Sequence, residues 1–157
     1  MSNTFYEIPI RCRGIAVVLL KKIENEYKLL LMKCASSLQN VWCYIGGGIE
    51  EGEKAWEAAI REIWEETGIT KVSLYSSNIC EQFYNIDRDS IWIAPVFVGY
   101  VNESEEVSLN WEHKDFKWVT FDEAREKATF PGNDLVFDHI ERHFASREPT
   151  ELLCIKK

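Results

Sequence analysis

The sequence contains no run of 18 apolar residues, so it offers no segment that predicts a membrane-spanning helix. No charged-then-apolar stretch stands at its start, so we expect no secretion signal. Basic residues are also few: 18 Lys and Arg stand against 26 Asp and Glu, a formal net charge of −8. A general nucleic-acid surface needs a basic patch, and we therefore expect neither nucleic acid nor a membrane as a partner.

The cysteines lack the spacing of a structural framework. They are odd in number and form no C-x-x-C pair: Cys12, Cys34, Cys43, Cys80 and Cys154. This favours neither a disulfide framework nor a zinc site, because free Cys beside apolar residues acts as a small hydrophobe. We expect a soluble protein of a reducing compartment, the cytoplasm.

What the chain does contain is enough apolar sequence for one packed unit. Its 157 residues are 46% apolar and 13% aromatic, without an internal repeat or a linker, which predicts a single domain over residues 1–157. The sequence does not fix the oligomeric state, and a homodimer is compatible with it.

Alternating and helical patterns predict the order of elements. We expect strands over 11–20, 27–34, 41–45, 71–83, 90–101 and 116–119, with a polar loop at 36–40 and a terminal strand at 152–155. Pro95 inside a strand indicates an edge or a bulge. Thr120 and Glu123 form a capping-box pattern that starts a short helix, and an amphipathic helix follows over 134–145.

One stretch dominates the chemistry, residues 47–69. We expect a glycine-rich loop (Gly46, Gly47, Gly48 and Gly52) before a helical pattern over 54–67, which ends at Gly68. We expect Trp56, Ala59, Ile60 and Ile63 to form its buried face. Glu62, Glu65 and Glu66 stand at i, i+3 and i+4, so their carboxylates share one face although like charges repel there. Clustered oxygen ligands suit Mg²⁺ or Mn²⁺, whereas the plainer interpretation is a solvated acidic helix.

This stretch resembles the signature of the Nudix hydrolases, G-x5-E-x7-R-E-U-x-E-E-x-G-U, in which U is a bulky aliphatic residue. All nine constrained positions match: Gly47, Glu53, Arg61, Glu62, Ile63, Glu65, Glu66, Gly68 and Ile69. The resemblance implies the α/β fold of that family, an α/β/α sandwich in which helices flank a mixed β-sheet. It also implies a hydrolase that uses Mg²⁺, with Mn²⁺ as an alternative ion.

The resemblance also implies roles for individual residues. Glu62, Glu65 and Glu66 match the metal ligands of the family, and the backbone carbonyl of Gly47 often joins them. Glu53 and Arg61 match a structural ion pair. The general base varies in the family, so Glu65 and Glu66 are both candidates for it.

A further acid is expected from the loop that precedes the strand at 116–119. Glu112 is the candidate, as an added metal ligand or as the base, against the alternative of an exposed loop carboxylate. His113 beside it is interpreted as a loop or packing residue.

Candidate substrate contacts are Arg13, Lys33 and Tyr84. Arg11 and Arg13 share one face of the first predicted strand, and Lys33 ends the second strand near the glycines. Trp42, Tyr84 and Trp92 are able to stack on a base, although aromatics in strands more often pack in the core.

The resemblance narrows the expected substrate. Tyr84 stands 15 residues past the motif, where ADP-ribose-cleaving members tend to carry Pro and diadenosine-polyphosphate hydrolases carry Tyr slightly further on. Residues 111–124 are similar to members that hydrolyse nucleoside triphosphates or dihydroneopterin triphosphate. The expected reaction is hydrolysis of a nucleoside triphosphate, or a similar small nucleotide-type compound, to the monophosphate and pyrophosphate. Dinucleoside polyphosphates, other nucleoside diphosphate derivatives, or a catalytically silent ligand-sensing module are the alternatives.

Overall fold

A mixed β-sheet runs through the centre of the molecule. The computed structural model describes residues 5–35 and 40–156, and within these the chain forms eight strands and three α-helices. The strands are β1 (Ile10–Arg11), β2 (Gly14–Ile23), β3 (Glu26–Cys34), β4 (Trp42–Cys43), β5 (Ile45–Gly48), β6 (Val72–Asn85), β7 (Ser90–Val101) and β8 (His113–Val119). The helices are α1 (Ala55–Thr67), α2 (Phe121–Lys127) and α3 (Asn133–Ile140), followed by a π-helical turn at Glu141–Ala145 and a 3-10 turn at Glu151–Leu153.

The strand pairing places β2 and β7 at the centre of the sheet. β2 pairs in parallel with β7 and antiparallel with β3, while β5 also pairs antiparallel with β2. β6 pairs antiparallel with β7, and β8 and β4 both pair antiparallel with β3. This pairing brings the segment before α1 and the start of β8 to the same part of the sheet.

Two hydrophobic clusters cover opposite faces of the sheet, which confirms the predicted α/β/α sandwich. β2 alternates between them: Val18 belongs to the cluster with α2 and α3, and Val17 to the cluster with α1. Alternating side chains point to opposite faces of a strand, and both faces of β2 are apolar, so both are buried.

The start of the chain differs from the prediction. The single strand expected over 11–20 is interrupted at Cys12 and Arg13, so Arg11 ends β1 and Arg13 lies between strands. Residues 46–48 were expected to form a glycine loop. They lie instead in β5, because their backbone groups pair with those of Gly14–Ala16 of β2.

Pro95 lies where the sheet is irregular on both sides, as predicted. It pairs with Cys80, where the register of β6 against β7 shifts, and it falls between the stretches of β7 that pair with β1 and β2. A missing N–H is tolerated at such a break in the ladder.

The C-terminal predictions are confirmed only in part. Thr120 and Glu123 do form the capping box of α2, with Glu123 N donating to Thr120 Oγ1 over 3.2 Å. The expected terminal strand at 152–155 is wrong, since a 3-10 turn precedes a single bridge from Tyr75 to Cys154, and Leu152 is exposed. The amphipathic helix expected over 134–145 is α3 followed by the π-helical turn, and Leu135 of α3 is exposed.

Two remaining observations complete the fold. The polar loop expected at 36–40 lies, except for residue 40, outside the described residues. Among the described helices, none is both long enough and apolar enough to cross a bilayer.

Candidate active site

A tight turn directs the chain from β5 into α1. Glu53 N donates to Glu50 O over 3.1 Å, and Gly52 has φ of 80°, the value of the third residue of a type II turn. Lys54 then caps α1, its backbone N donating to Glu57 Oε2 over 2.8 Å. The helix ends at Gly68, whose φ of 71° is the left-handed conformation that glycine adopts without strain.

Arg61 ties this turn to the helix. Its Nε and Nη2 donate to the two carboxylate oxygens of Glu53 over 2.9 and 3.0 Å, and Nη2 also donates to Gly48 O over 2.7 Å. The bidentate contact lowers the pKa of Glu53 and raises that of Arg61. One guanidinium therefore holds the end of β5, the turn and α1 together.

Glu62 lies against the backbone of Gly47. A Cβ placed on Gly47 would stand 2.1 Å from the carboxyl carbon of Glu62 and 2.2 Å from its Oε1, so any side chain at position 47 would displace this carboxylate. Arg61 Nη1 donates to Glu62 Oε1 over 2.8 Å. Burial raises the pKa of Glu62, although Arg61 opposes the shift.

Glu66 is the most deeply buried acid of the helix, with 1% of its surface exposed. It meets His113 at the start of β8, with Glu66 Oε2 and His113 Nε2 3.0 Å apart. One ligand atom each of Glu66, Glu112 and His113 lie within 4.8 Å of one another. Burial raises the pKa of Glu66 to about 7, Glu112 and Glu62 adding to the shift while His113 opposes it.

Glu65 and Glu112 complete the acidic group on its open side. Glu65 is exposed, and its Oε2 lies 3.3 Å from Arg61 Nη1. Glu112 is half-buried, and its Oε1 accepts from Asn110 Nδ2 over 3.3 Å. The alternative of a fully exposed Glu112 is not what the structure shows.

The donor set fits a divalent cation. Glu62 and Glu66 are buried acids whose pKa values rise with their burial and their acidic neighbours, so ionising them without a cation costs free energy. Arg61 is the one Arg or Lys paired with the acids of α1 among the described residues, and Glu53 already occupies two of its donors. Several carboxylate oxygens open to solvent on one side are ligands that suit Mg²⁺ or Mn²⁺.

The predicted substrate contacts do not form one cluster. Arg13 is exposed, and its backbone O accepts from Ile49 N over 2.9 Å. Tyr84 is half-exposed near the end of β6, where its hydroxyl donates to Asp89 Oδ1 over 2.7 Å. Lys33 lies beside Trp42, with Nζ 5.8 Å from the ring centroid.

The sequence prediction missed two lysines beside the same ring. Lys117 Nζ and Lys127 Nζ lie 5.7 and 5.5 Å from the centroid of Trp42. Within the described residues, neither they nor Lys33 form an ion pair. The antiparallel register that places Lys117 opposite Leu31 puts Lys117 and Lys33 on one face, and knowledge of this register would have identified Lys117. Lys127 comes from α2, and no sequence pattern predicted its approach to Trp42.

His113 was expected to be a loop or packing residue. Its side chain is buried at the start of β8 and contacts Glu66, because β8 pairs with β3 up to Cys34. Its position beside Glu112 in sequence gave no indication of that contact.

Comparison with known proteins gives one family. The model of the NUDIX domain matches residues 12–139. The chain is 30% identical over 118 residues to a bis(5'-nucleosyl)-tetraphosphatase (asymmetrical) of Caenorhabditis elegans, covering 71% of this chain and 81% of that protein. It is 33% identical over 107 residues to the nucleoside triphosphatase NudI of Escherichia coli (strain SE11), covering 62% and 76%.

Solved structures agree with this fold. A C. elegans Ap4A hydrolase binary complex superposes with a TM-score of 0.73 at 22% identity, covering 84% of this chain and 96% of that one. A MutT protein from Methanosarcina mazei Go1 superposes with a TM-score of 0.67 at 27% identity, covering 88% and 95%.

Proposed function

The chain belongs to the Nudix family, and from that premise we propose that it hydrolyses a phosphoanhydride bond of a nucleoside triphosphate or similar compound, giving the monophosphate and pyrophosphate. The observation that carries this proposal is the group of acids on one side of α1, together with the ligand atoms of Glu66, Glu112 and His113, which lie within 4.8 Å of one another. NudI, a nucleoside triphosphatase by name, supports this substrate class.

Glu62, Glu65 and Glu66 would hold Mg²⁺, with Mn²⁺ as an alternative, and Glu112 and the Gly47 carbonyl are further candidate ligands. When bound, the ion neutralises phosphate charge and lowers the pKa of a water molecule. Gly47 leaves room for the carboxylate of Glu62, and Arg61 fixes its orientation. The chain thus keeps the acids in position before a substrate arrives.

Two acids are candidates for the base that takes the proton of the attacking water. Glu66 is buried and uses Oε2 on His113, so it is better suited to hold the ion than to exchange protons with solvent. Glu65 and Glu112 reach the open side of the acidic group. We assign the base to one of these two.

The substrate would contact positive charge on the face of β3 opposite to α1. Trp42 offers an aromatic ring, and Lys33, Lys117 and Lys127 surround it without acidic partners in the described part of the chain. An aromatic ring stacks on any base, and lysines bind phosphate as point charges. Arg13 and Tyr84 remain weaker candidates because neither lies in this group.

A dinucleoside polyphosphate is the second candidate substrate, since the C. elegans relative is named for that activity. A silent sensing module is less well supported because the chain keeps every acid of the motif. The five cysteines are free thiols, which suits a reducing compartment such as the cytoplasm.

The test is a panel of nucleoside triphosphates and dinucleoside polyphosphates incubated with Mg²⁺, with phosphate and pyrophosphate measured separately. We expect pyrophosphate from a triphosphate, and no turnover after chelation of the metal. Glu65→Gln should keep the wild-type melting temperature and lose most turnover. Glu51→Gln, at an exposed position in the turn before α1, should keep wild-type turnover. Wild-type turnover by Glu65→Gln would refute the role of Glu65, and tight nucleotide binding without any turnover would favour a sensing module.

A further inference from the structure

Two cysteines and a histidine meet beside the acidic group. Cys34 ends β3, Cys43 lies in β4 and His113 begins β8, three neighbouring strands. The two Sγ atoms are 3.0 Å apart, and one ring nitrogen of His113 and both sulfurs lie within 4.8 Å of one another. Strand pairing, rather than sequence spacing, brings these ligand types together, which is why the absence of C-x-x-C gave no sign of them.

His113 has a nitrogen that needs a partner. Its side chain is 7% exposed, Nε2 contacts Glu66 Oε2, and Nδ1 has no hydrogen-bond partner among the described residues. An unpaired buried polar atom costs free energy, and such atoms are rare in folded proteins. In the neutral tautomer that donates Nε2–H to Glu66, Nδ1 carries a free lone pair.

That arrangement is typical of histidines that bind metal. A metal-ligating imidazole commonly donates its other N–H to a carboxylate, which fixes the tautomer and the orientation of the ring. Glu66 supplies that carboxylate at 3.0 Å. The sulfurs require little movement, since a tetrahedral zinc site separates two thiolates by roughly 3.8 Å, about 0.8 Å more than here.

A disulfide is the competing interpretation of the two sulfurs. Met32 pairs with Cys43, so Cys34 is a diagonal neighbour of Cys43 rather than its direct partner. Diagonal neighbours have Cα atoms roughly 7–8 Å apart, beyond the range of an unstrained disulfide.

We propose that Cys34, Cys43 and His113 form a binding site for one soft divalent cation of the Zn²⁺ class, with His113 coordinating through Nδ1. Three protein ligands leave the fourth tetrahedral position open to water or another ligand. This site differs from the carboxylate site of α1 in its ligand chemistry, because thiolates select soft ions and carboxylates hard ones. The two sites meet at the contact between His113 and Glu66.

The test uses reduced, metal-free protein titrated with Co²⁺ in the absence of Mg²⁺. We expect one equivalent of Co²⁺ to produce an intense near-ultraviolet thiolate-to-cobalt band together with the visible bands of a tetrahedral ion, and one equivalent of Zn²⁺ to abolish both. Cys34→Ser, Cys43→Ser and His113→Gln should each lose this spectrum. Cys80→Ser, an exposed cysteine of β6, is the matched control and should keep it.

Glu66→Gln tests the partner of the histidine. Loss of the carboxylate should weaken Zn²⁺ binding roughly 10- to 100-fold while the thiolate band persists at saturation. Circular dichroism and melting temperature identify any variant that fails to fold. Because each of the three ligand variants should lose the Co²⁺ spectrum, a single variant that folds is enough to test the site.

Three results would overturn the proposal. The first is a wild-type spectrum in folded Cys34→Ser or Cys43→Ser, and the second is the absence of any thiolate band in reduced wild-type protein. The third is Co²⁺ binding that Glu112→Gln abolishes and the cysteine variants do not, which would place the ion among the carboxylates. None of these measurements uses turnover, so the result is independent of the proposed hydrolase activity.

Discussion

At the scale of single residues, Gly47 and Glu62 depend on each other. The carboxyl group of Glu62 occupies the space that a Cβ at position 47 would take. Gly46, its neighbour in β5, is different, because the nearest atom to an added Cβ is Ile15 O at 3.8 Å, an ordinary contact.

We therefore predict that Gly47→Ala displaces the Glu62 carboxylate and weakens Mg²⁺ binding about tenfold or more, roughly the loss of one charged contact of 1.5–3 kcal/mol. Gly46→Ala should bind Mg²⁺ as the wild type does. Isothermal titration with Mg²⁺ measures both. Equal Mg²⁺ affinities of the two variants would mean that Mg²⁺ binding does not depend on the contact between the Glu62 carboxylate and Gly47.

The residue spacing predicted part of this site and missed the rest. Glu62, Glu65 and Glu66 share one helix face, but Glu66 is only 1% exposed whereas Glu65 is an exposed residue. The spacing treats the three as equivalent, since the difference arises from β5 and β8, which are distant in sequence. The contact of His113 with Glu66 was missed for the same reason.

At the scale of elements, Arg61 and Arg125 show how position changes the strength of an ion pair. Arg61 forms ion pairs with four acids and Arg125 with three. The partners of Arg61 include Glu53 and Glu62, whose side chains are 13% and 10% exposed. The partners of Arg125 on α2, α3 and the π-helical turn are far more exposed, 39% or more. Water screens the second group more strongly than the first.

Arg61→Met should accordingly lower the free energy of unfolding by about 2 kcal/mol, because it leaves half-buried acids without their donor. Arg125→Met should lower it by less than about 1 kcal/mol. Urea denaturation without divalent metal measures the two. An equal loss in both variants would contradict the view that Arg61 holds β5, the turn and α1 together.

Elements with a strong periodic pattern were predictable, and those defined by pairing were not. The helix expected over 54–67 is α1, and the strand expected over 90–101 is β7 with the same bounds. The buried face of α1 includes Glu62 and Glu66, while Trp56 and Ile60 are only half-buried, because the pattern counted apolar residues alone. The glycines at 46–48, predicted to form a loop, lie in β5 because β2 pairs with them.

At the scale of the whole molecule, Tyr44 links Glu81 of β6 to the start of α3. Tyr44, in the segment between β4 and β5, donates to Glu81 Oε2 over 3.0 Å and lies 3.1 Å from Asn133 Oδ1 at the start of α3. Burial raises the pKa of Glu81, with the hydrogen bond from Tyr44 opposing the shift.

This shift makes a pH-dependent contribution to stability. The pKa of Glu81 is higher in the folded state than the roughly 4.3 of an unfolded chain. The contribution of Glu81 to stability is therefore fully present below the unfolded-state pKa, and it is lost as pH rises through the folded-state pKa. Glu81→Gln removes this dependence. We expect its melting temperature, relative to wild type, to increase between about pH 4 and pH 7.

Glu126→Gln, exposed on α2, serves as the control and should show a constant difference over the same range. A constant difference for Glu81→Gln as well would show that burial does not raise the pKa of this carboxyl. No pattern in the sequence predicts this link, since residues 44, 81 and 133 approach one another only through the sheet topology and the packing of α3.

The central claim is that the acids of α1 gather around a divalent ion, and crystals grown with Mn²⁺ test it most directly. Anomalous scattering should locate an ion roughly 2.1 Å from carboxylate oxygens of Glu62 and Glu66, with Glu65 or Glu112 close by. Well-ordered crystals in which these side chains point apart, with no anomalous peak among them at saturating Mn²⁺, would contradict the account.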